Sequence, residues 1–138
     1  MRRPPRARGE RGASALELAI IAPTLLALIF LTIQTALFLF GRAAAQNAAQ
    51  QGMSELRLIQ PQVYHDSLAR KIEQNTESYA ARIAGSSLLG PTATSEYDAQ
   101  TGIASMTVEG QAVSLVPGLT FRTKRTATGP IETFEADK

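Results

Sequence analysis

One long apolar run dominates the N-terminal part of the chain. Between Leu18 and Phe40 the sequence carries no charged residue, and its polar side chains are three threonines and one glutamine. A helix rises about 1.5 Å per residue, so roughly 20 residues cross the hydrocarbon core of a bilayer. The run therefore predicts a transmembrane helix. Arginines before it and only Arg42 just after it predict a cytoplasmic N-terminus, with the chain beyond Arg42 outside.

A cleavable secretory signal is the alternative interpretation of this run. The small residues Ala43-Ala44-Ala45-Gln46 follow it and could be cut by a signal peptidase, releasing a soluble domain that begins near Gln46. The apolar region of such signals is usually about 7 to 15 residues long. Length therefore favours an uncleaved anchor. Pro23 lies inside the run, where membrane helices tolerate it, either as a simple bend or as a functional feature.

The helix is predicted to continue beyond the apolar run. Helix-forming residues follow Gly41, and no proline occurs before Pro61. We expect one helix from about Ala13 to about Ile59, with residues 13–40 in the membrane and 41–60 outside the cytoplasm. Residues at helical spacing define one face of this part of the helix: Ala45, Ala48, Ala49, Gly52, Met53, Leu56 and Ile59. The small residues of this face are predicted to pack against other subunits, with packing on the protein's own domain as the alternative. The larger residues, from Met53 to Ile59, are predicted to pack on the protein's own domain, with packing against other subunits as the alternative.

Residues 61–138 are predicted to form a small outward-facing domain. A second, amphipathic helix is expected over residues 66–84, with Asp66 or Ser67 as its N-cap, Gly85 as its stop, and Leu68, Ile72, Tyr79 and Ile83 on its apolar face. Turn signals then separate short β-prone runs. The fold class is α+β, with a long N-terminal helix, a second helix and an antiparallel sheet of about three strands. The predicted turns are Gly90-Pro91, Asp98 to Gly102, Pro117-Gly118 and Gly129-Pro130, and the predicted strands are 92–97, 103–115 with a break near Gly110, and 119–127.

Composition narrows the range of functions. The formal net charge is +2, but five arginines crowd the first twelve residues, and the chain from Arg42 onward carries nine basic and ten acidic side chains. The high pI therefore describes the N-terminus and does not indicate nucleic-acid binding. With no cysteine and a single histidine, His65, the sequence suggests no metal site, no cofactor and no enzyme.

A basic cluster lies on the last predicted strand. Arg122, Lys124 and Arg125 flank Thr123. Charged side chains protect the edge of a sheet from unwanted pairing, which is the favoured interpretation. Binding of an acidic partner or surface polymer is the alternative.

Glu17 is the residue that does not fit the apolar run. It lies between Leu16 and Leu18, where the bilayer disfavours a carboxylate by up to about 3 kcal/mol at its centre and by less near the interface. It could reach back to headgroups and pair with Arg11. Alternatively, cleavage after Gly12 would remove a basic leader, residues 1–12, and create an amine at Ala13. That amine and the Glu17 carboxylate of a neighbouring subunit could then neutralise each other.

The segment from Gly12 to Pro23 resembles the start of TadE-like proteins, the pseudopilins of tight-adherence (Tad, or Flp) pilus systems. In that family a glycine, a glutamate five residues later, an alanine two beyond it and a proline in the first turns of the membrane helix recur, and Gly12, Glu17, Ala19 and Pro23 match them. Flp-type sites usually carry an aromatic residue after the glutamate, whereas this chain has a leucine. The resemblance covers about 30 residues, from Arg11 to roughly Phe40.

The resemblance implies a pilin-like fold and a role as a minor pilin in assembling a type IVb pilus that serves adhesion. It implies cleavage between Gly12 and Ala13 by a prepilin peptidase, and assembly through Glu17. The implied partners are that peptidase, other pilin and pseudopilin subunits, the assembly platform and membrane lipid, with no nucleic acid and no small-molecule substrate. A permanently membrane-anchored surface binding module is the alternative function, and it requires neither cleavage nor a role for Glu17.

Overall fold

Two helices and a three-stranded antiparallel sheet form the described part of the chain. The computed structural model describes residues 9–59 and 66–131, with side chains described from residue 14 onward in the first range. The predicted α+β fold is confirmed. The chain divides into two compact units, residues 1–35 and 36–138. The elements are α1 (Gly9–Arg57), α2 (Asp66–Ala84), β1 (Leu88–Asp98), β2 (Ile103–Ala112) and β3 (Phe121–Pro130).

The described side chains of the first unit make no hydrophobic core. From Ser14 to Thr35 they are exposed, apart from the half-buried Ala22 and Gln34. Apolar residues occur all around the helix here, which is typical of a helix surrounded by an apolar medium. α1 begins at Gly9 rather than at the predicted Ala13, and it ends at Arg57 rather than Ile59.

In the second unit, α1 contributes one face to a shared core with α2 and the sheet. Small residues at helical spacing are fully or almost fully buried there, and the larger Met53 and Leu56 continue the same face, with Ile59 partly buried. The prediction that Met53 to Ile59 packs on the protein's own domain is confirmed. The prediction that the alanines pack against other subunits is wrong, because their own domain buries them. The buried alanines are Ala44, Ala45, Ala48 and Ala49.

At Gly52, α1 closely approaches both α2 and β2. A Cβ atom at this position would lie 3.0 Å from Met106 Cγ on β2, and it would overlap the Thr76 hydroxyl on α2. Thr76 is buried, and its hydroxyl donates a hydrogen bond of 2.8 Å to the Ile72 carbonyl. Glycine at residue 52 therefore lets three elements meet without an intervening side chain.

The second helix has the predicted bounds, Asp66–Ala84. Of the residues predicted on its apolar face, Ile72 is buried, Tyr79 and Ile83 are partly buried, and Leu68 is half-buried. Small residues make up most of the buried face. Gly85 ends the helix with φ of +54°, as a left-handed stop residue does. The buried residues of α2 are Ala69, Ile72, Thr76, Ala80 and Ala84.

The strands run in the order β1-β2-β3, with both pairs antiparallel. Two predictions about glycines are wrong. Gly90-Pro91 is not a turn but lies inside β1, where the pairing register shifts between Leu89 and Thr92. β2 continues through Gly110 without a break. Glycine at this position makes room for the Leu88 side chain, since a Cβ atom there would lie 2.6 Å from Leu88 Cδ1.

The remaining strand ends differ by a few residues from their predicted positions. β3 runs through Gly129 to Pro130, so the predicted turn there is the end of the strand. Gly129 lies against the Arg57 guanidinium, and the following Ile131 is buried in the core. The turns at Asp98 to Gly102 and at Pro117-Gly118 are confirmed.

Two carboxylates from α2 occupy the edge of β1. Glu77 Oε1 accepts a hydrogen bond of 2.9 Å from the Ala93 N–H, and Glu73 Oε1 accepts bonds of 2.7 Å from the N–H and the hydroxyl of Ser95. An unpaired strand edge is a template for unwanted pairing. Glu73 and Glu77 therefore satisfy and cover donors that another strand would otherwise bind.

Asp98 organises the turn between β1 and β2. Its Oδ1 accepts a bond of 2.8 Å from the Gln100 N–H, and its Oδ2 accepts one of 2.8 Å from the Thr101 hydroxyl. The hydrogen bond from Gln100, followed by that from Thr101, lowers the pKa of Asp98 below its ordinary value of 3.8. The charged form therefore stabilises the hairpin.

We expect Gly52→Ala to destabilise the second unit by about 1–3 kcal/mol, since the added methyl group overpacks the contact with Met106 and Thr76. Thermal unfolding of the full chain in detergent, followed by circular dichroism, measures the loss. Ser54→Ala, at an exposed position of the same helix, is the control. An unchanged melting temperature for Gly52→Ala would contradict the close approach described above.

We expect Asp98→Ala to lower the melting temperature at pH 7 but not well below pH 3.8. A carboxylate whose folded pKa is lowered stabilises the fold above its unfolded pKa, and that contribution disappears as the pH falls through the folded value. Melting curves of the wild type and the variant at pH 7 and at acid pH measure the difference. Gln100→Ala, which keeps the backbone N–H, should show no such pH dependence.

Candidate assembly site on the N-terminal helix

The candidate site residues lie along the first part of α1. Gly12 and Ala13 are helical in their backbone, and their side chains are outside the described part. Glu17 follows Ala13 by four residues, so the two positions share one helix face, about 6 Å apart along the axis. The helix thus continues unbroken across the predicted cleavage position. Cleavage between Gly12 and Ala13 stays a prediction.

Glu17 is exposed, and it is the only charged residue from Ser14 to Phe40. Among the described side chains none forms an ion pair with it, and the Arg11 side chain, its alternative partner, is outside that set. In lipid, an uncompensated carboxylate is costly and needs a counter-charge or access to the interface. The position therefore suits pairing with a group from outside the helix.

Polar groups within the apolar run are satisfied inside the helix. Thr32 and Thr35 donate hydrogen bonds of 2.8 Å to the carbonyls of Leu28 and Leu31. Hydroxyls that bond back to the preceding turn are compatible with a surrounding that offers no water. These threonines therefore do not argue against a membrane span.

Pro23 lies inside α1 and is exposed. A proline cannot donate a hydrogen bond to the carbonyl four residues earlier. The next residue, Thr24, donates its hydroxyl to the Ile20 carbonyl at 3.3 Å, which adds a bond beside the missing one. The helix continues through the proline, as membrane helices permit.

α1 is the one helix among the described residues that is long and apolar enough to cross a membrane. None of its most apolar stretch is buried within the protein. Large apolar side chains in contact with solvent are unfavourable, so this stretch needs an apolar surrounding. The structure is thus consistent with membrane anchoring through α1.

The basic cluster does not form one site. Arg122 and Lys124 lie on the exposed face of β3, whereas Arg125 is half-buried on the opposite face. Lys124 Nζ lies 2.8 Å from Glu109 Oε1 on β2. The hydrogen bond from Lys124, and then its charge, lowers the pKa of Glu109, and the same contact raises that of Lys124.

The position of the cluster agrees with its favoured interpretation, since β3 is an edge strand. Its protective effect and the alternative, an acidic partner, remain predictions. The division of the cluster between two faces was not predicted, although alternation along the strand was the available signal. The contacts of Glu73 and Glu77 with β1 were not predicted either, because they depend on how α2 packs against the sheet.

The described residues contain no group of three or more potential metal ligands. His65 lies outside the described residues. The expectations of no metal, no cofactor and no catalysis therefore stay predictions.

These features define a class of protein with one N-terminal helix apolar enough to cross a membrane and a small α+β domain. The model of the TadE-like protein family matches residues 12–53, which is less than half of the chain. This match confirms the TadE-like resemblance and is consistent with a protein of the Tad pilus system. It includes all four candidate residues, Gly12, Ala13, Glu17 and Pro23. No curated protein and no solved structure matches the chain.

Proposed function

We propose that this protein is a minor pilin, or pseudopilin, that takes part in assembling a Tad-type (type IVb) pilus. The observation that carries the proposal is Glu17, the only charged residue in the exposed apolar stretch from Ser14 to Phe40, within the segment that matches the TadE-like family. The protein is inserted in the cytoplasmic membrane with its N-terminus in the cytoplasm. Its α+β domain then lies outside.

A prepilin peptidase cleaves between Gly12 and Ala13 and removes the basic leader. The new amine at Ala13 and the Glu17 carboxylate of a neighbouring subunit neutralise each other at the same depth, which aligns the two helices. Pro23 permits the helix to bend next to this contact. The other partners are further pilin subunits, the assembly platform and lipid, and the protein has no catalytic role of its own.

Burial of the alanine face supports different roles for two parts of α1, with subunit assembly before Gly41 and packing on the protein's own domain after it. Since the protein's own domain covers Ala44 to Ala49, this face is not free for subunit packing. The exposed apolar residues before Gly41 are left for contacts with lipid and with the membrane helices of other subunits. Assembly is therefore expected to depend on residues 13–40.

The intact mass and the N-terminal residue test the processing step. In protein purified from membranes of cells that have the prepilin peptidase, we expect a chain that begins at Ala13, because the peptidase removes residues 1–12. Cells without the peptidase should yield a chain that keeps the arginine leader. A leader retained in both strains would support the permanently anchored binding module, and a chain that begins near Gln46 would indicate a secreted domain.

We expect Glu17→Gln to leave membrane insertion intact and to reduce incorporation into pili roughly tenfold or more. The variant leaves the Ala13 amine unpaired in an apolar surrounding, which costs more than the roughly 1.4 kcal/mol that corresponds to tenfold. Immunoblots of sheared pili and of membranes measure both quantities. Glu10→Gln makes the same chemical change in the predicted leader and should be neutral. Normal incorporation of the Glu17 variant would argue against its role in assembly.

A further inference from the structure

The second unit carries a group of exposed apolar side chains at one end of its sheet. Leu115, Val116 and Leu119 lie in the loop between β2 and β3 and are 44%, 50% and 48% exposed, and Leu89 at the start of β1 is 48% exposed. Single exposed apolar residues are ordinary, but a group of them at one end of a domain marks an interaction surface.

The loop that carries three of these residues is a formed turn. The Ser114 hydroxyl donates a bond of 3.1 Å to the Val116 carbonyl and accepts one of 3.1 Å from the Val116 N–H. The Leu119 N–H donates to the Val116 carbonyl at 3.2 Å, and Gly118 takes φ of +81°. These hydrogen bonds order the backbone of the loop that carries the apolar side chains.

The same end of the sheet adjoins the end of the apolar run. A Cβ atom at Gly41 would lie 2.9 Å from the Ser87 carbonyl oxygen and 3.7 Å from Ala112 Cβ, just where β1 begins and β2 ends. One helical turn earlier, the Phe38 ring contacts the Phe121 ring edge-on, with centroids 6.0 Å apart. The ends of β2 and β3 that flank the loop therefore lie beside the last residues of the apolar run.

Two arginines line a groove next to the end of the apolar run. Arg42 and Arg125 line one shallow groove of about 370 Å³ together with Leu39, Ala43 and Gln46, none of which is acidic. Guanidinium groups bind phosphate in a bidentate manner, and arginine is favoured where an apolar surface meets headgroups. Apolar side chains followed by arginines match the order of acyl chains and phosphates at a bilayer surface.

We propose that this end of the domain rests on the outer surface of the phospholipid bilayer. Leu89, Leu115, Val116 and Leu119 enter the boundary between headgroups and acyl chains, and Arg42 and Arg125 bind lipid phosphates. The inference rests on the proposed membrane anchoring of residues 18–40, a run of about 34 Å as a helix. That length exceeds the hydrocarbon core of about 30 Å by nearly one turn, which brings Phe38 to Phe40 to the interface. Leu58 and Ile103, exposed at the other end of the sheet, do not adjoin the run.

The absence of tryptophan in the chain permits a direct test with single-tryptophan variants. We expect Leu119→Trp, in the full chain reconstituted into vesicles of phosphatidylcholine and phosphatidylglycerol, to emit at shorter wavelength and to lose most of its emission to lipids brominated near the headgroup. Phe30→Trp, within the span, is the control for anchoring and should be quenched by bromine deeper in the acyl chains. Ala99→Trp, exposed in the turn at the other end of the sheet, should behave as in water.

The outcomes distinguish failure of the proposed lipid-binding surface from failure of the proposed membrane anchor. If Phe30→Trp is quenched and Leu119→Trp behaves like Ala99→Trp, the anchor stands and the proposed surface is wrong. A blue-shifted Leu119→Trp that bromine does not quench would mean that protein covers the loop, which also overturns the proposal. If Phe30→Trp is not quenched, anchoring fails and the surface fails with it. Val116→Trp repeats the test, with circular dichroism to show that each variant is folded.

The arginines are tested in the Leu119→Trp background. Arg42→Gln combined with Arg125→Gln should reduce the quenching of Leu119→Trp, because the domain loses its contacts with phosphate. Arg70→Gln combined with Arg82→Gln removes the same charge from exposed positions on α2 and should have no effect. Equal quenching in both double variants would show that Arg42 and Arg125 do not hold the domain on the lipid.

Discussion

The close packing of small residues on α1 against the sheet and α2 is the interaction on which the second unit depends. Ala45, Ala48 and Ala49 are fully buried, and glycine at residue 52 meets both Met106 and Thr76. Small side chains let the backbones approach, and the larger Met106, Val108 and Leu56 fill the space that remains. A domain of this size has a small hydrophobic core, so each of these contacts makes up a large share of its stability.

α1 changes its surroundings along its length without a change in secondary structure. Up to Phe40 its side chains are mostly exposed and apolar, and from Gly41 one face is buried in a protein core. The hydrophobic effect favours removing both surfaces from water, but protein covers only the second. This difference explains why an apolar segment and an alanine-rich segment follow each other in one helix, and it underlies the proposed division between membrane assembly and domain packing.

The two edges of the sheet carry different side chains. Glu73 and Glu77 occupy backbone donors of β1, whereas β3 carries exposed basic side chains, one of them paired with Glu109. The carboxylates leave fewer free donors on β1 for a further strand, and the exposed charges of β3 are predicted to disfavour strand pairing. The proposed surfaces for assembly and for lipid, the apolar part of α1 and the loop end of the sheet, therefore do not involve strand pairing.

The sequence by itself determined the features that depend on local patterns. The apolar run, the bounds of α2, the left-handed stop at Gly85 and the number of strands follow from hydropathy, periodicity and backbone preferences, which neighbouring residues set. The position of Glu17 immediately before the run was equally visible.

Tertiary structure decided which surfaces meet, because contacts between residues distant in sequence are not encoded in a local period. Only packing shows that the alanines of α1 are buried by their own domain. The same holds for Gly90, which serves a bulge, and for Gly110, which makes room for Leu88. The fold likewise separates Arg125 from Arg122 and Lys124, and it brings Phe121 to Phe38 at the end of the apolar run.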